Sequence, residues 1–245
     1  EPGSTHGYHA TTFGWLVGEL VRRVAGRSVG TYLRDEIADP LDLDLWIGLP
    51  AEHEPRVAPL ISMLPPGVTA EALTEPGDNP ILKMIADFLG PQTELGKSLY
   101  APGNAFIGTD IWNDPRVHGA EIPAANGIAD ARSLAKLYAA CLGEVDGVRL
   151  LSPEQLDRAI TQQTEGPNRV LLGLDVQFGL GFMLHTSLLP IGGPRAFGHF
   201  GMGGSVAWAD PDAELAYAYV MNKMELGVTG DPRSSALIDA CYASL

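Results

Sequence analysis

An α+β fold, an antiparallel sheet flanked by helices, is what the order of periodicities along this chain predicts. Three observations carry it. Apolar residues recur at helical spacing in residues 12–37 and again from Asp130 onward. The texture then turns to short β runs, "VQFGLGFML", "RAFGHF" and "SVAWADPDAELAYAYVMN", the last reading as two strands that turn at Asp210-Pro211-Asp212. A final helical segment, "PRSSALIDACYASL", closes the chain. Helices, then an antiparallel meander, then a covering helix make one domain over residues 1–245.

The helices announce their own ends. In "TTFGWLVGELVRRVAGRS", Phe13, Leu16, Val17, Leu20, Val21 and Val24 share one face, and Gly26 stands where a left-handed C-terminal residue belongs. Ser28 caps a second helix through Val29, Tyr32, Leu33 and Ile37, which Pro40 stops. Residues 50–126 are broken by prolines at 50, 55, 59, 65, 66, 76, 80, 91, 102, 115 and 123, leaving room for one good helix that begins at Asn79-Pro80 and runs through Leu89. So long an irregular stretch is either an inserted lid or binding wall, or an ordinary surface excursion. Asp130 caps the next helix, with Leu134, Leu137 and Cys141 inward. Ser152, Pro153 and Gln155 spell a capping box for the one after it.

Bulk properties exclude several function classes. The chain has 245 residues, 45% of them hydrophobic, enough for one good core. Its 16 basic against 30 acidic residues give a net charge of −14, which argues against a nucleic-acid partner. The sequence has no zinc-type Cys/His spacing, no dinucleotide glycine fingerprint and no apolar run near the ~20 residues needed to span a bilayer. Cys141 and Cys241 each fall on the apolar side of a helix and read as two buried thiols rather than a disulfide.

Two serines look like nucleophiles. "RSLAK" puts Ser133 and Lys136 at Ser-x-x-Lys spacing, but on an amphipathic helix whose polar side carries the lysine. A catalytic lysine has to be desolvated for its pKa to fall, so the pair reads as surface, with alanine substitutions expected to change stability by no more than ~0.5 kcal/mol. "GRSVG" puts Ser28 in a Gly-x-Ser-x-Gly frame. An α/β-hydrolase elbow there needs a strand leading into the serine, and the residues before it are helical in period.

The chain's opening, with Pro2-Gly3, Tyr8-His9-Ala10, Gly26-Arg27-Ser28 and Pro40-Leu41-Asp42, resembles the serine β-lactamase-like superfamily of class C β-lactamases, D-alanyl-D-alanine carboxypeptidases and family VIII carboxylesterases. Near the other end, His199-Phe200-Gly201, followed by Gly203-Gly204-Ser205 and a strand pair, resembles the superfamily's Lys-Thr-Gly element in its His-x-Gly variant. The resemblance covers most of the chain and is weakest in the proline-rich section. It places Ser133 on a peripheral helix. It departs from the family in two respects: Ala10 replaces the amide of Tyr-x-Asn, and only seven residues precede Tyr8, so the Ser-x-x-Lys nucleophile segment is expected upstream of Glu1.

The resemblance implies acyl transfer, through a serine-bound acyl-enzyme that water releases, from a small-molecule ester or amide, with no cofactor and no metal. Tyr8 would shuttle the proton, aided by the lysine of the absent segment, and His199 would polarise a cleft shared with Tyr8. Phe200, Gly201, Gly203 and Gly204 would border the substrate. A histidine where the family often has lysine removes a permanent cation and favours neutral esters over β-lactams. An incomplete sheet would invite self-association or pairing with the missing segment. Two readings stay open beside this one: a non-catalytic remnant or binding domain of the same fold, and an α/β-hydrolase using Ser28. Tyr8 can equally be a helix-leading aromatic, and His199 a strand histidine facing solvent.

Overall fold

The computed structural model describes residues 3–63, 70–108, 110–225 and 230–245; Pro2, Pro65 and Pro66 lie outside them. In chain order the described residues form helices α1 (Thr12–Ala25) and α2 (Val29–Leu33), strand β1 (Leu45–Trp46), helices α3 (Ala70–Thr74), α4 (Pro80–Leu89), α5 (Glu94–Tyr100) and α6 (Pro115–His118), and strand β2 (Ile128–Ala129). Helices α7 (Ala131–Leu142) and α8 (Pro153–Ala159), strands β3 (Met183–Leu184), β4 (Phe197–Phe200), β5 (Val206–Asp210) and β6 (Leu215–Tyr219), and helix α9 (Pro232–Tyr242) complete the order. The chain divides into two compact units. The first comprises Glu1–Tyr32, Ile47–Ile128 and Asn168–Leu174; the second comprises Leu33–Trp46, Ala129–Pro167 and Asp175–Leu245.

In the first unit, α1 ends as its sequence requires, with Gly26 at φ 68° donating its N–H to the Arg22 carbonyl. The face it buries is not the apolar stripe. Gly14 is the buried residue, and a Cβ there would stand 2.4 Å from the Ala124 nitrogen. Gly18 is close against Val29 and Pro123. Leu16, Leu20 and Val24 remain 66%, 61% and 81% exposed. Two glycines a helical turn apart let backbone meet backbone, and that close approach sets the orientation of the helix.

The proline-rich segment is more helical than its composition implies. Proline at the first helical position costs no hydrogen bond, so Pro80 and Pro115 open α4 and α6. The caps are Asn79, accepting from Ile81 and Leu82 N–H, and Asp114, accepting from Arg116 N–H. Thr93 caps α5 by accepting from Gly96 N–H. Buried His118 bridges the Glu54 carboxylate at 3.0 Å and the Trp112 carbonyl at 2.8 Å, tying three short helical pieces together.

The second unit is built on an antiparallel sheet in the order β3-β4-β5-β6, with His199 opposite Ala207 and Phe200 opposite Val206. The β5–β6 turn falls where Asp210-Pro211-Asp212 placed it, with Asp210 opposite Leu215. Helix α7 packs across β5 and β6. Cys141, Leu156, Leu184, Phe197 and Ala209 form one core, and Ala38, Leu41, Leu43, Leu45 and Ala140 form a second. Trp208 is fully enclosed, stacked on Tyr217 at 5.5 Å and on Tyr242 at 5.7 Å. The buried Asp210 carboxylate accepts from Asp212 and Ala213 N–H at the turn and from the Tyr242 hydroxyl, which in turn accepts from Gly193 N–H. Both cysteines are free thiols, Cys141 buried and Cys241 only half-buried.

The RSLAK segment corrects the surface expectation. Asp130 caps α7 as expected, but Ser133 is buried, and its Oγ accepts from Asp44 N–H at 2.9 Å. Lys136 donates to the Leu41 carbonyl at 2.6 Å and pairs with Asp146. Periodicity put the polar residues outside, whereas both reach across to satisfy the chain at 41–44. Ser133→Ala is therefore expected to destabilise by about 1–2 kcal/mol, because it strips a donor of its acceptor. Urea unfolding checks this; a change below ~0.5 kcal/mol would restore the surface reading.

Candidate functional site

Tyr8 lies in an extended stretch just ahead of α1, in the first unit. Its main chain is held from two sides. The Tyr8 N–H donates to Asn168 Oδ1 at 3.1 Å, and the Tyr8 carbonyl accepts from Ser98 Oγ at 2.7 Å. Burial pushes the Tyr8 phenol up from 10.0 to about 12, so it stays protonated near neutrality unless a cation stands beside it.

His199 lies on β4 in the second unit, half-buried, with its ring 6.5 Å from that of Phe178. Nδ1 lies 2.5 Å from the Phe200 carbonyl oxygen. A carbonyl only accepts, so Nδ1 carries the hydrogen, which assigns the tautomer. Burial lowers the imidazole pKa below 6.5, and the Phe200 carbonyl opposes this only in part. His199 is therefore neutral at pH 7.

A tight loop follows β4. Gly201 N–H donates to the Ser205 carbonyl at 2.7 Å, and Gly204 N–H to the Gly201 carbonyl at 3.2 Å. Gly203 and Gly204 have φ of 90° and 115°, and a Cβ on Gly204 would stand 2.0 Å from Asp231 Oδ2. These two glycines answer first to the backbone and to what packs behind it. The Phe200 ring is buried. Buried Asp231 caps α9 through Arg233 N–H and holds the Arg233 guanidinium, which donates to the Gly203 carbonyl at 3.2 Å and the Lys223 carbonyl at 2.9 Å. Asp231 and Arg233 thus brace the loop from behind.

The surroundings of Ser28 bear out its reading as a helix cap and exclude the alternative of a nucleophile elbow. A helix, not a strand, leads into it, and its Oγ donates to Glu121 Oε1 at 2.6 Å while Glu121 Oε2 accepts from Gly30 N–H at 3.0 Å. The pair caps a helix start. An α/β-hydrolase elbow is ruled out, because that turn exists only between a strand and a helix.

Sequence reading named Tyr8, His199, Phe200, Gly201, Gly203 and Gly204. It missed Ser98, Asn168, Asp231 and Arg233. Asp231 had a legible signal, an acidic cap before Pro232. Asn168 and Ser98 had none, since each acts on a residue 160 or 90 positions away.

A helix-covered antiparallel sheet of this order places the chain with the esterase/β-lactamase-like hydrolase family. The chain belongs to the beta-lactamase family, which residues 1–241 match. It is 38% identical over 223 residues to the esterase/beta-lactamase LipL of Mycobacterium tuberculosis, covering 89% of this chain and 48% of LipL. A penicillin-binding protein homolog from Caulobacter crescentus shares its fold with a TM-score of 0.76 at 39% identity, covering 99% of this chain and 60% of the homolog. A family VIII carboxylesterase gives 0.80 at 32% identity, covering 100% and 60%. The chain thus spans about half the length of the curated relative it matches. No helix among the described residues is long and apolar enough to cross a membrane.

The brace predicts acid sensitivity. The Arg233 side chain, more than its N–H, holds the Asp231 carboxyl below the ordinary carboxylate range. Its folded pKa lies below its unfolded one, so its stabilisation is complete above about pH 4 and disappears as pH falls through the folded value. Asp231→Asn should cost about 1–3 kcal/mol at pH 7, less than at a fully buried pair because Arg233 is 33% exposed. The gap from the wild type should narrow below about pH 4. Urea unfolding at both pH values is the measurement, and a pH-independent gap would remove Asp231 from the brace.

His199 works in the same direction over a higher window. Its folded pKa is depressed, so the unfolded chain takes up the proton first, and stability declines as pH drops from about 6.5 to the folded value. Imidazole NMR should find His199 titrating below the ordinary value. A midpoint above 6.5 would mean the ring is held charged.

Proposed function

We propose that this protein is part of a serine esterase that transfers the acyl group of a small neutral ester to water. In this reading a serine oxygen attacks the ester carbonyl, the alcohol leaves with a proton, and water then cleaves the acyl-serine, returning a carboxylic acid and the serine hydroxyl. Tyr8 carries the proton between serine and leaving group. His199 and the loop at Gly201 border the reacting carbonyl, where main-chain donors stabilise the oxyanion. The proposed nucleophile is a serine outside these 245 residues.

The observation that carries the ester preference is the state of His199. A half-buried imidazole with its Nδ1–H committed to Phe200 and its pKa lowered is neutral, whereas a lysine there would offer the fixed charge that attracts a β-lactam or peptide carboxylate. Relatives described as an esterase/beta-lactamase and as a family VIII carboxylesterase are consistent with ester chemistry. With the Tyr8 phenol raised by burial to about 12, proton transfer near neutral pH requires a cation beside it, a role this reading assigns to the nucleophile segment.

The 245-residue chain alone is expected to turn over p-nitrophenyl esters poorly, since loss of a nucleophile removes up to ~10⁶ in rate. Joined to the segment encoded upstream of Glu1, it should become active, and Tyr8→Phe should then lower kcat by about 10²–10⁴. Strong activity of the short chain, blocked by a fluorophosphonate, would place the nucleophile within it. Inactivity of the longer chain would favour a binding domain of the same fold.

A further inference from the structure

We propose that Asn168 and Ser98 are positioning residues for Tyr8, a two-sided clamp on its main chain that fixes where its phenol points. The proposal rests on the role proposed above for Tyr8. Residues 5–9 have no helix or sheet of their own, so the N–H and carbonyl of Tyr8 depend on side chains for partners. Asn168 supplies one and Ser98 the other.

Each half of the clamp is itself fixed. Asn168 is 1% exposed, and its Oδ1 accepts from Tyr8, Val170 and Leu171 N–H at 3.0–3.1 Å. Its own N–H donates to the Leu174 carbonyl at 3.0 Å, and its carbonyl accepts from Gly173 N–H at 2.8 Å, closing the 168–174 loop at its neck. A further bond runs from Arg169 N–H to the His6 carbonyl at 3.1 Å. Gly7 lets the two strips of chain lie flush, because a Cβ there would stand 2.8 Å from Val170 Cγ2. On the other side, Ser98 Oγ donates to the Tyr8 carbonyl and accepts from Ala10 N–H, both at 2.7 Å. The Ser98 carbonyl accepts from Thr11 N–H at 3.2 Å and Thr11 Oγ1 at 2.9 Å, which fastens the start of α1 to α5.

The choice of asparagine is informative. Its Nδ2 is buried without a hydrogen-bond partner, so the residue is used for its oxygen alone. An aspartate would accept the same three bonds and leave no donor unpaired. It would also put a negative charge beside the tyrosine and make the phenol still harder to ionise. Asparagine keeps the acceptor and withholds a charge that would be costly at 1% exposure.

The test reads Tyr8 directly, in the 245-residue chain, by NMR of tyrosine labelled with ¹³C at Cζ and assigned with Tyr8→Phe. At pH 10.5 the wild-type Tyr8 should remain a phenol, consistent with a pKa of about 12. Asn168→Ala and Ser98→Ala should hydrate the ring and bring its titration back towards about 10, giving partial phenolate, while half-buried Tyr138 in the other unit is unmoved. Asn168→Asp should keep Tyr8 a phenol. In the longer, active chain, Asn168→Ala should lower kcat by about 10–100-fold with KM nearly unchanged, since misplacement acts on the transition state. An unmoved Tyr8 signal in both alanine variants would overturn the clamp, as would loss of thermal stability with the Tyr8 titration intact. Should Asn168→Ala fail to fold, Ser98→Ala decides. A silent Tyr8→Phe in the activity assay would instead remove the catalytic reading and leave the clamp standing.

Discussion

The carboxylate of Asp210 is the point on which the second unit turns. It is a polar group taken out of water, tolerable because two turn N–H groups and the Tyr242 hydroxyl are aimed at it. One oxygen shapes the β5–β6 hairpin; the other anchors the C-terminal end of α9. With that end fixed and the Tyr242 ring stacked on Trp208, the N-terminal end of α9 delivers Asp231 and Arg233 behind the Gly203-Gly204 loop. Asp210 sits at the end of β5 opposite the start of β4, whereas His199 lies towards the other end of the pair. The helix carries the constraint from one end of the sheet to the other.

The first unit depends on the same currency, side-chain acceptors and donors lent to main chain that has no regular partner. Asn168 and Ser98 do this for Tyr8, Glu121 for Gly30, and His118 for the Trp112 carbonyl. This is how a proline-rich sequence stays ordered. Proline removes backbone donors, short helices start on it, and side chains take over the satisfaction that a sheet would otherwise provide.

For both titratable groups of the proposed site burial disfavours the charged form, and in the proposed reading that bears on the chemistry. A neutral imidazole with its Nδ1–H committed can polarise a carbonyl without attracting an anion. On the same reading the half-buried Tyr8 phenol needs a cation beside it before it can pass a proton at working pH. In the proposed reading Tyr8 carries the proton and His199 borders the carbonyl, and family membership supplies the expectation of a serine.

What the sequence determined by itself was local and periodic. Gly26, Asn79-Pro80, Asp130 and the Ser152–Gln155 box each specify a helix end within four residues, and all four fall where they were read. The hairpin at Asp210-Pro211-Asp212 and the order of helices and strands were legible for the same reason, because cap, turn and period are short-range chemistry. Tertiary structure decided which face was used. The apolar stripe of α1 predicted burial of Leu16 and Leu20, yet Gly14 and Gly18 won, because close backbone approach depends on what lies opposite, and Ala124 is 110 residues away. Ser133 was read as surface and became an acceptor for Asp44, and Asn168 and Ser98 carried no local signal at all. A hydrogen bond between residues a hundred positions apart leaves no periodicity in either neighbourhood; only the folded chain brings its donor and acceptor together.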